Sequence, residues 1–186
     1  MAEVKTIKPS DYTSSELRIK YLLEAKGYLV QDSGYETYFT ASAKDVIGRI
    51  NRPTSLYVRT NPDKVVIGSK ESLLLEIKDA TQSNIAIEAF PLLIHRHLFW
   101  TFNILTLYLF DADDNITGEF VENLPIDRVI IPARLKTAEY KYWLPLLTSG
   151  FPNNHIERIS TGGSGDPFVI ISKESRKSLR QLSQLF

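Results

Sequence analysis

Alternating apolar and polar positions predict a β-hairpin near the middle of the chain. Residues 65–77 read Val-Val-Ile, then five polar or glycine residues, then Leu-Leu-Leu-Glu-Ile. β-Branched and aliphatic residues favour strands, and a short polar segment containing glycine favours the turn between them. Successive side chains in a strand point to opposite faces, so Glu76 and Lys78 are expected to share one face. Leu75 and Ile77 are then expected on the other face, toward the core.

Apolar residues spaced three and four positions apart predict a first helix from Thr13 to Lys26, ended by Gly27. Glu16 in this helix has two interpretations. In the first, Thr13 and Glu16 form a capping box at the helix N-terminus. In the second, Glu16 lies at the rim of the apolar stripe, from where it reaches the hairpin. Both interpretations stay open on the sequence alone.

Strand and helix patterns alternate along the rest of the chain, which is typical of an α/β domain with a central mixed sheet. Upstream of the hairpin, the patterns predict a strand near residues 35–39, a short helix over 45–50 and a strand over 55–60. Downstream, they predict a helix from Ser83 or Asn84 toward His97, with a kink or restart at Pro91. A central strand is predicted over 103–110, within the apolar segment 98–110, and further strands end near 120 and lie over 128–132 and 168–171. The remaining patterns predict a helix over 138–147 and a basic amphipathic helix over 173–186. His95 and His97 are interpreted as surface residues that complement the helix dipole.

Two other segments contain residues typical of ligand sites, in incomplete patterns. The acidic and amide residues of segment 111–115 alternate as in a calcium loop, with Glu122 at the twelfth position. Ile116 stands where that loop needs glycine, and the flanking patterns are strands, so an acidic hairpin turn is favoured. The glycine-rich segment 161–166 is not followed by the Lys-Ser/Thr pair of a nucleotide-binding P-loop, and it is expected to be a loop.

The amino-acid composition limits the kinds of fold and chemistry that are open to the chain. The 186 residues are 43% hydrophobic and 24% charged, which is typical of a globular chain long enough for one well-buried core. A single domain over residues 1–186 is therefore expected. The formal net charge is zero, so any contact with nucleic acid needs a local basic patch. The absence of cysteine excludes disulfides, thiol nucleophiles and the common structural zinc sites.

Neither the N-terminus nor the most apolar segment predicts a membrane protein. Residues 1–9 lack the apolar stretch of a signal peptide. Residues 98–110 are too few to span a bilayer as a helix. A cytoplasmic location without a membrane partner is therefore expected.

Three ionic side chains around the hairpin are the candidates for chemistry. If the hairpin pairs in the ordinary way, Asp63 at the start of the first strand lies beside Glu76 at the end of the second. Two converging carboxylates are costly unless a positive charge sits between them. Oxygen ligands beside positions open to water are what Mg²⁺ requires, and Lys78 supplies a further positive charge.

Pro62-Asp63, followed after twelve residues by Glu76-Ile77-Lys78, closely resembles the motif of the PD-(D/E)xK nucleases in order and spacing. The segment ELRIKYLLEAKGY, residues 16–28, is also similar to the first helix of the archaeal Holliday-junction resolvases of the same superfamily. The resemblance implies a restriction-endonuclease-like core over about residues 13–110, with residues 111–186 as a C-terminal α/β elaboration. The segment between the first helix and the motif, residues 29–60, is longer than a compact resolvase of this family needs.

The resemblance also implies a function, namely Mg²⁺-dependent endonuclease cleavage of DNA, with Mn²⁺ able to substitute. Asp63, Glu76 and the main-chain carbonyl of Ile77 would then hold the metal. Lys78 would orient the attacking water or stabilise the transition state, and Glu16 would assist. Glu88, on the helix that follows, is a further candidate. The implied partners are DNA and a second copy of the chain in a homodimer.

Two alternatives stay open. A catalytically inactive member would keep the fold as a DNA-binding or assembly module. A small-molecule or protein-binding domain would carry the motif by accident.

Overall fold

The computed structural model describes residues 14–33, 60–69, 71–112, 115–159 and 165–186. The strand predicted near residues 35–39, the helix over 45–50 and the strand over 55–60, apart from Thr60, lie outside the described residues. Thr13 of the proposed capping box also lies outside them. Most of the glycine-rich segment also lies outside them.

A mixed sheet forms the centre of the described structure. Its strands, in spatial order, are β1 (Leu29–Asp32), β2 (Lys64–Ile67), β3 (Ser72–Asp79), β5 (Thr106–Ala112), β6 (Asn115–Phe120) and β10 (Arg180–Gln181). β3 and β5 are parallel, and the other neighbouring pairs are antiparallel. The β2–β3 pairing stops at Lys64 opposite Leu75, whereas the β3–β5 pairing continues to Asp79 opposite Asp111. β3 therefore extends four residues beyond its partner β2.

A smaller sheet and the helices pack around this centre. The smaller sheet has the order β4 (Ile85–Glu88), β9 (Phe168–Ile171), β7 (Arg128–Pro132) and β8 (His155–Ile159). The described helices are α1 (Ser14–Ala25), α2 (Ala89–Phe102), α3 (Thr137–Gly150) and the short α4 (Leu182–Leu185), with 3₁₀ turns at Val121–Asn123 and Ser175–Ser178. None of the described helices is long and apolar enough to cross a membrane.

Each face of the larger sheet contacts its own apolar core. On one face, α1 packs against the sheet through a cluster formed by Ile19, Leu23, Val30, Val66, Leu73, Leu75, Ile77, Leu107, Leu109 and Ile116. On the other face, Tyr108 and Phe110 join a second cluster with buried residues of α2, α3 and the smaller sheet. A polar side chain on β3 or β5 thus enters one of two water-poor layers.

The predicted fold class, a central mixed sheet flanked by helices, is confirmed. The central hairpin is also confirmed, and the strands over 128–132 and 168–171 have the predicted bounds. α1 ends before Gly27, whose φ of +89° lies in the left-handed region that glycine adopts without strain.

The helix predicted from Ser83 or Asn84 is wrong in its first part. Residues Ile85–Glu88 form β4, in which the two isoleucines are buried and the residues between and after them are exposed. This period-two burial is satisfied by pairing with β9. The helix α2 begins only at Ala89, and Pro91 lies in its first turn, where a missing N–H removes no helix hydrogen bond.

The boundary between the next helix and strand is also wrong. α2 continues through Phe102, so residues 98–102 are helical although their apolar character favoured a strand. The helix ends at Asn103, whose φ of 54° is left-handed and whose N–H bonds to the carbonyl of Phe99. β5 therefore starts at Thr106.

The C-terminal amphipathic helix is wrong for most of its length. In its place are a 3₁₀ turn, the two-residue strand β10 and the four-residue helix α4. β10 pairs with β6 opposite Gly118 and Thr117. The edge of β6 supplies backbone partners that an isolated helix pattern does not reveal.

Arg176 fastens this C-terminal segment to the loop that follows β3. Its guanidinium donates hydrogen bonds to the main-chain carbonyls of Ala80 at 2.7 Å, Gln82 at 2.5 Å and Ser83 at 3.0 Å. One charged group thereby holds the connection from the larger sheet to β4. The fork geometry of guanidinium suits such multiple contacts better than an ammonium group does.

We expect Arg176→Ala to lower the free energy of unfolding by about 1–3 kcal/mol, because three carbonyls lose a charged donor. Urea denaturation measures this change. Lys177→Ala is the matched control, since it removes the same charge from an exposed neighbouring side chain. Equal losses from the two variants would show that net charge, and not the carbonyl contacts, is responsible.

Candidate active site

Three hydrogen bonds between described residues hold Asp63 at the start of β2. They are accepted by the Asp63 carbonyl, by the Asp63 carboxylate and by the carbonyl of Pro62. The N–H of Ser33 donates to the Asp63 carbonyl at 3.0 Å, and the Ser33 hydroxyl donates to the Pro62 carbonyl at 2.8 Å. The N–H of Ile77 donates to Asp63 Oδ2 at 2.7 Å. These contacts fix the carboxylate against β3, beyond the last backbone pair of the hairpin.

Glu76 and Lys78 lie on the same face of β3 and form an ion pair. The distance from Lys78 Nζ to Glu76 Oε1 is 2.6 Å. Glu76 is 7% exposed, whereas Lys78 is half-buried. Leu75 and Ile77 point to the opposite face, into the core beneath α1. The structure therefore brings Asp63, Glu76 and Lys78 together at one end of the sheet.

Both carboxyl groups of this cluster have raised pKa values. Burial raises the pKa of Asp63 and the nearby Glu76 raises it further, to about 7, although the Ile77 N–H and Lys78 oppose this change. Burial likewise raises the pKa of Glu76, against the lowering effect of Lys78. One ammonium group does not neutralise two buried carboxylates, so the cluster attracts a proton or another cation near neutral pH.

Lys78 stays a cation in this environment. Burial acts to lower the pKa of Lys78, but attraction to Glu76 and the hydrogen bond with it raise that pKa, and the net direction is upward. Asp63 and Glu88 add to the increase. Lys78 is therefore suited to orient or stabilise negatively charged groups, and poorly suited to accept a proton.

Glu16 lies on the other face of the sheet, next to the buried Lys64. Lys64 Nζ is 3.0 Å from Glu16 Oε2 and 2.9 Å from Asp32 Oδ1. Lys64 follows Asp63 in an extended strand, so the two side chains point to opposite faces. The charge of Glu16 still contributes to raising the pKa values of Asp63 and Glu76. The site role of Glu16 stays a prediction.

The interpretation of His95 as a surface residue is wrong. His95 is 0% exposed, because α2 directs it toward the sheet, whereas His97 is exposed. His95 Nδ1 lies 2.7 Å from the Tyr108 hydroxyl, and Nε2 lies 2.8 Å from the carbonyl of Thr60. Burial lowers the pKa of His95 to about 4, although the hydrogen bond with Thr60 opposes this. The imidazole is therefore neutral at physiological pH.

Sequence analysis missed Tyr108 and His95 as neighbours of the cluster. Tyr108 stands opposite Glu76 in the parallel register, and the charges of Lys78 and Asp63 affect the pKa of His95. The sequence did contain one signal for them, since a residue with a polar end group lies inside each of two strongly apolar elements, His95 in α2 and Tyr108 in β5. That signal does not identify which polar groups meet.

Two further acidic candidates have different surroundings. Glu88 is exposed at the end of β4, and its charge contributes to the raised pKa of Lys78. Asp111 is buried in β5, where its Oδ1 is 3.3 Å from Arg18 Nη1. The strands on both sides of residues 113–114 agree with an acidic hairpin and not with a calcium loop, which requires helices.

The donor chemistry of the cluster fits a divalent cation. Asp63 and Glu76 present oxygen ligands with uncompensated negative charge. The Ile77 carbonyl points to the same side of β3 as its N–H, toward Asp63, because both groups of a strand residue face the same neighbour. No group of three or more His, Cys, Asp or Glu side chains that could hold a metal occurs in the described ranges. Mg²⁺ characteristically takes one or two carboxylates and fills its other positions with water and substrate oxygens.

Comparison with known proteins identifies the fold. No protein-family model matches the chain, and no curated relative matches it. A solved structure of Hjc, a Holliday junction resolvase from the archaeal hyperthermophile Archaeoglobus fulgidus, does match, with a TM-score of 0.50 and 9% sequence identity. The chain shares its fold with this resolvase. The match covers 92% of this chain and 91% of the resolvase, and at this identity it concerns the fold alone.

We expect Asp63→Asn to be more stable than the wild-type protein at pH 8 in the presence of a chelator. Asparagine keeps an acceptor for the Ile77 N–H but carries no buried charge. The pKa of Asp63 is raised on folding from 3.8 to about 7, so the difference is complete above pH 7 and disappears as pH falls toward 4. One pKa unit corresponds to about 1.4 kcal/mol, which gives a difference of about 2–4 kcal/mol at pH 8.

Urea unfolding between pH 4 and pH 8 measures this difference. Asp79→Asn, at the end of β3, is the control, because hydrogen bonds with Thr81 lower the pKa of this exposed carboxyl. That substitution should not stabilise the protein at pH 8. An Asp63→Asn variant with wild-type stability at every pH would contradict the raised pKa.

Proposed function

We propose that this protein is a Mg²⁺-dependent DNA endonuclease that hydrolyses phosphodiester bonds through a PD-(D/E)xK site. The observation that carries the proposal is the hydrogen bond from the Ile77 N–H to Asp63 Oδ2, at 2.7 Å. It joins the two separated parts of the sequence motif at one point. Lys78 completes the arrangement through its 2.6 Å contact with Glu76.

The fold supports the same proposal. The similar solved structure is described as a Holliday junction resolvase, so a four-way DNA junction is the first substrate to test. A second copy of the chain is part of the proposal, because cutting two strands with one site per subunit is most simply met by a symmetric dimer. DNA contact would use local basic groups, since the formal net charge of the chain is zero.

Asp63, Glu76 and the carbonyl of Ile77 are the groups that we propose hold Mg²⁺, with Mn²⁺ able to substitute. When bound, the ion supplies a water of lowered pKa and neutralises charge that develops on the phosphate. Because the pKa of Asp63 is about 7, a proton competes with the cation for this carboxylate. Cation affinity is therefore expected to increase as pH rises through 7.

The chain's own residues contribute positioning and electrostatic stabilisation in this proposal. Lys78 donates from a fixed place beside Glu76 and can hold the attacking water or a phosphate oxygen. Its raised pKa keeps it positively charged while negative charge develops on the oxygens of the phosphate. Burial of the cluster strengthens these interactions by excluding water.

We expect Glu76→Gln and Lys78→Met to abolish Mg²⁺-dependent cleavage, with losses of at least about 100-fold in kcat/KM, because each removes one charge from the site with little change in volume. Alanine at Asp63, Glu76 or Lys78 should have the same effect. Labelled four-way, duplex and single-stranded DNA are the substrates, and circular dichroism confirms folding. Glu157→Gln is the control, since Glu157 pairs with Arg128 far from the motif on an exposed strand.

Near wild-type cleavage by either site variant would show that the site is wrongly assigned. A folded wild-type protein that binds four-way DNA but cuts none of the substrates with Mg²⁺ or Mn²⁺ would instead indicate an inactive DNA-binding module.

We expect Glu16→Gln to reduce cleavage by at least about 10-fold, partly restored at high Mg²⁺, if Glu16 also supports the cation. The matched control is Asp32→Asn, because Asp32 is the other carboxylate bound to Lys64. Both variants weaken the contacts of Lys64, so thermal denaturation should show similar losses of stability. Equal cleavage by the two variants across a Mg²⁺ titration would limit Glu16 to a structural role.

A further inference from the structure

A buried chain of hydrogen bonds connects α2, β5 and the segment that leads to Asp63. The Tyr108 hydroxyl, the His95 ring and the Thr60 carbonyl follow one another at 2.7 Å and 2.8 Å. Tyr108 and His95 are each 0% exposed, and Thr60 is 7% exposed. Buried polar groups of this kind are costly unless each is satisfied, so their arrangement is specific.

The partners determine which ring nitrogen of His95 carries the proton. The Thr60 carbonyl is only an acceptor, so Nε2 must be the donor. The low pKa of His95 leaves the ring neutral, and Nδ1 is then a bare acceptor. The Tyr108 hydroxyl therefore donates to Nδ1. Removing this hydroxyl would leave Nδ1 buried without a donor, and the ring would lose one of the two hydrogen bonds that orient it toward Thr60.

The segment from Thr60 to Asp63 leads into the site and is held by hydrogen bonds at both of its ends. A cavity of about 220 Å³ lies beside it, lined by Ser33, Thr60, Asn61, Pro62, Leu74, Ile94 and Leu98. Ser33 holds the segment at Pro62 and Asp63, and His95 holds it at Thr60. The hydrogen bond with His95 therefore helps to hold the main chain at Thr60, beside the other interactions of this residue.

We propose that His95 and Tyr108 are positioning residues that set the place of Asp63 relative to Glu76 by fixing the main chain at Thr60. They act through the backbone at Thr60. This proposal rests on the proposed nuclease function only where cleavage activity is measured. Its structural readout is the Ile77 N–H, which bonds to the Asp63 side chain beyond the last β2–β3 pair.

The test uses His95→Gln, His95→Asn and Tyr108→Phe in the full chain. A glutamine amide reaches the position of Nε2 and can donate to Thr60, whereas an asparagine amide reaches only the position of Nδ1. We expect hydrogen exchange of the Ile77 amide to accelerate at least about 10-fold in Tyr108→Phe and His95→Asn relative to the Leu109 amide, and less in His95→Gln. The cleavage kcat should fall in the same order, by about 10- to 100-fold, with KM for DNA unchanged.

Leu92→Val is the control, because Leu92 is a fully buried residue of the same helix without a polar contact. It should lower the melting temperature while leaving Ile77 exchange and kcat near their wild-type values. Ile77 exchange that stays slow in both His95→Asn and Tyr108→Phe would overturn the proposal, even if the protein is a nuclease. If the wild-type protein cuts no DNA, the exchange order of the variants still decides the positioning role.

Discussion

The N–H of Ile77 donates to a carboxylate side chain because β2 has already ended where that N–H needs a partner. β3 continues along β5 to Asp79, whereas β2 pairs with its other edge only as far as Leu75. Asp63 substitutes for the missing strand. The carboxylate of Asp63 therefore lies where β2 and β3 separate, next to the carboxylate of Glu76 on β3. The remaining contacts of the cluster maintain that position.

The cluster is electrostatically unfavourable as it stands. Two carboxylates with raised pKa values share Lys78, while on the other face Lys64 is surrounded by Glu16 and Asp32. The excess of negative charge therefore lies on the Asp63 face, because on the other face Asp32 also pairs with Lys20, at 3.8 Å. Structural ion pairs usually balance their charges, and a persistent imbalance in a buried place is typical of a site that receives a cation.

The sequence was sufficient for features that depend on local pattern. The alternation around Glu76 and Lys78 predicted their common face, and two apolar runs on either side of a polar turn predicted the hairpin. Residues 85–88 were misread because a four-residue strand and the start of an apolar helix look alike until β9, more than eighty residues away, supplies a partner. His95 could not be placed for the same reason, since its partners come from Thr60 and Tyr108 on other elements. Tertiary pairing, and not propensity, decided these cases.

Because Asp63 and Lys64 are adjacent and oppositely charged, they favour one register of β2 against β3 during folding. A slip of one residue would turn the lysine toward Tyr108 and the aspartate toward Glu16 and Asp32. Both faces of the sheet would then carry mismatched charges in a buried layer. Two adjacent residues of opposite charge thus disfavour a one-residue slip of β2 against β3, independently of any role in catalysis.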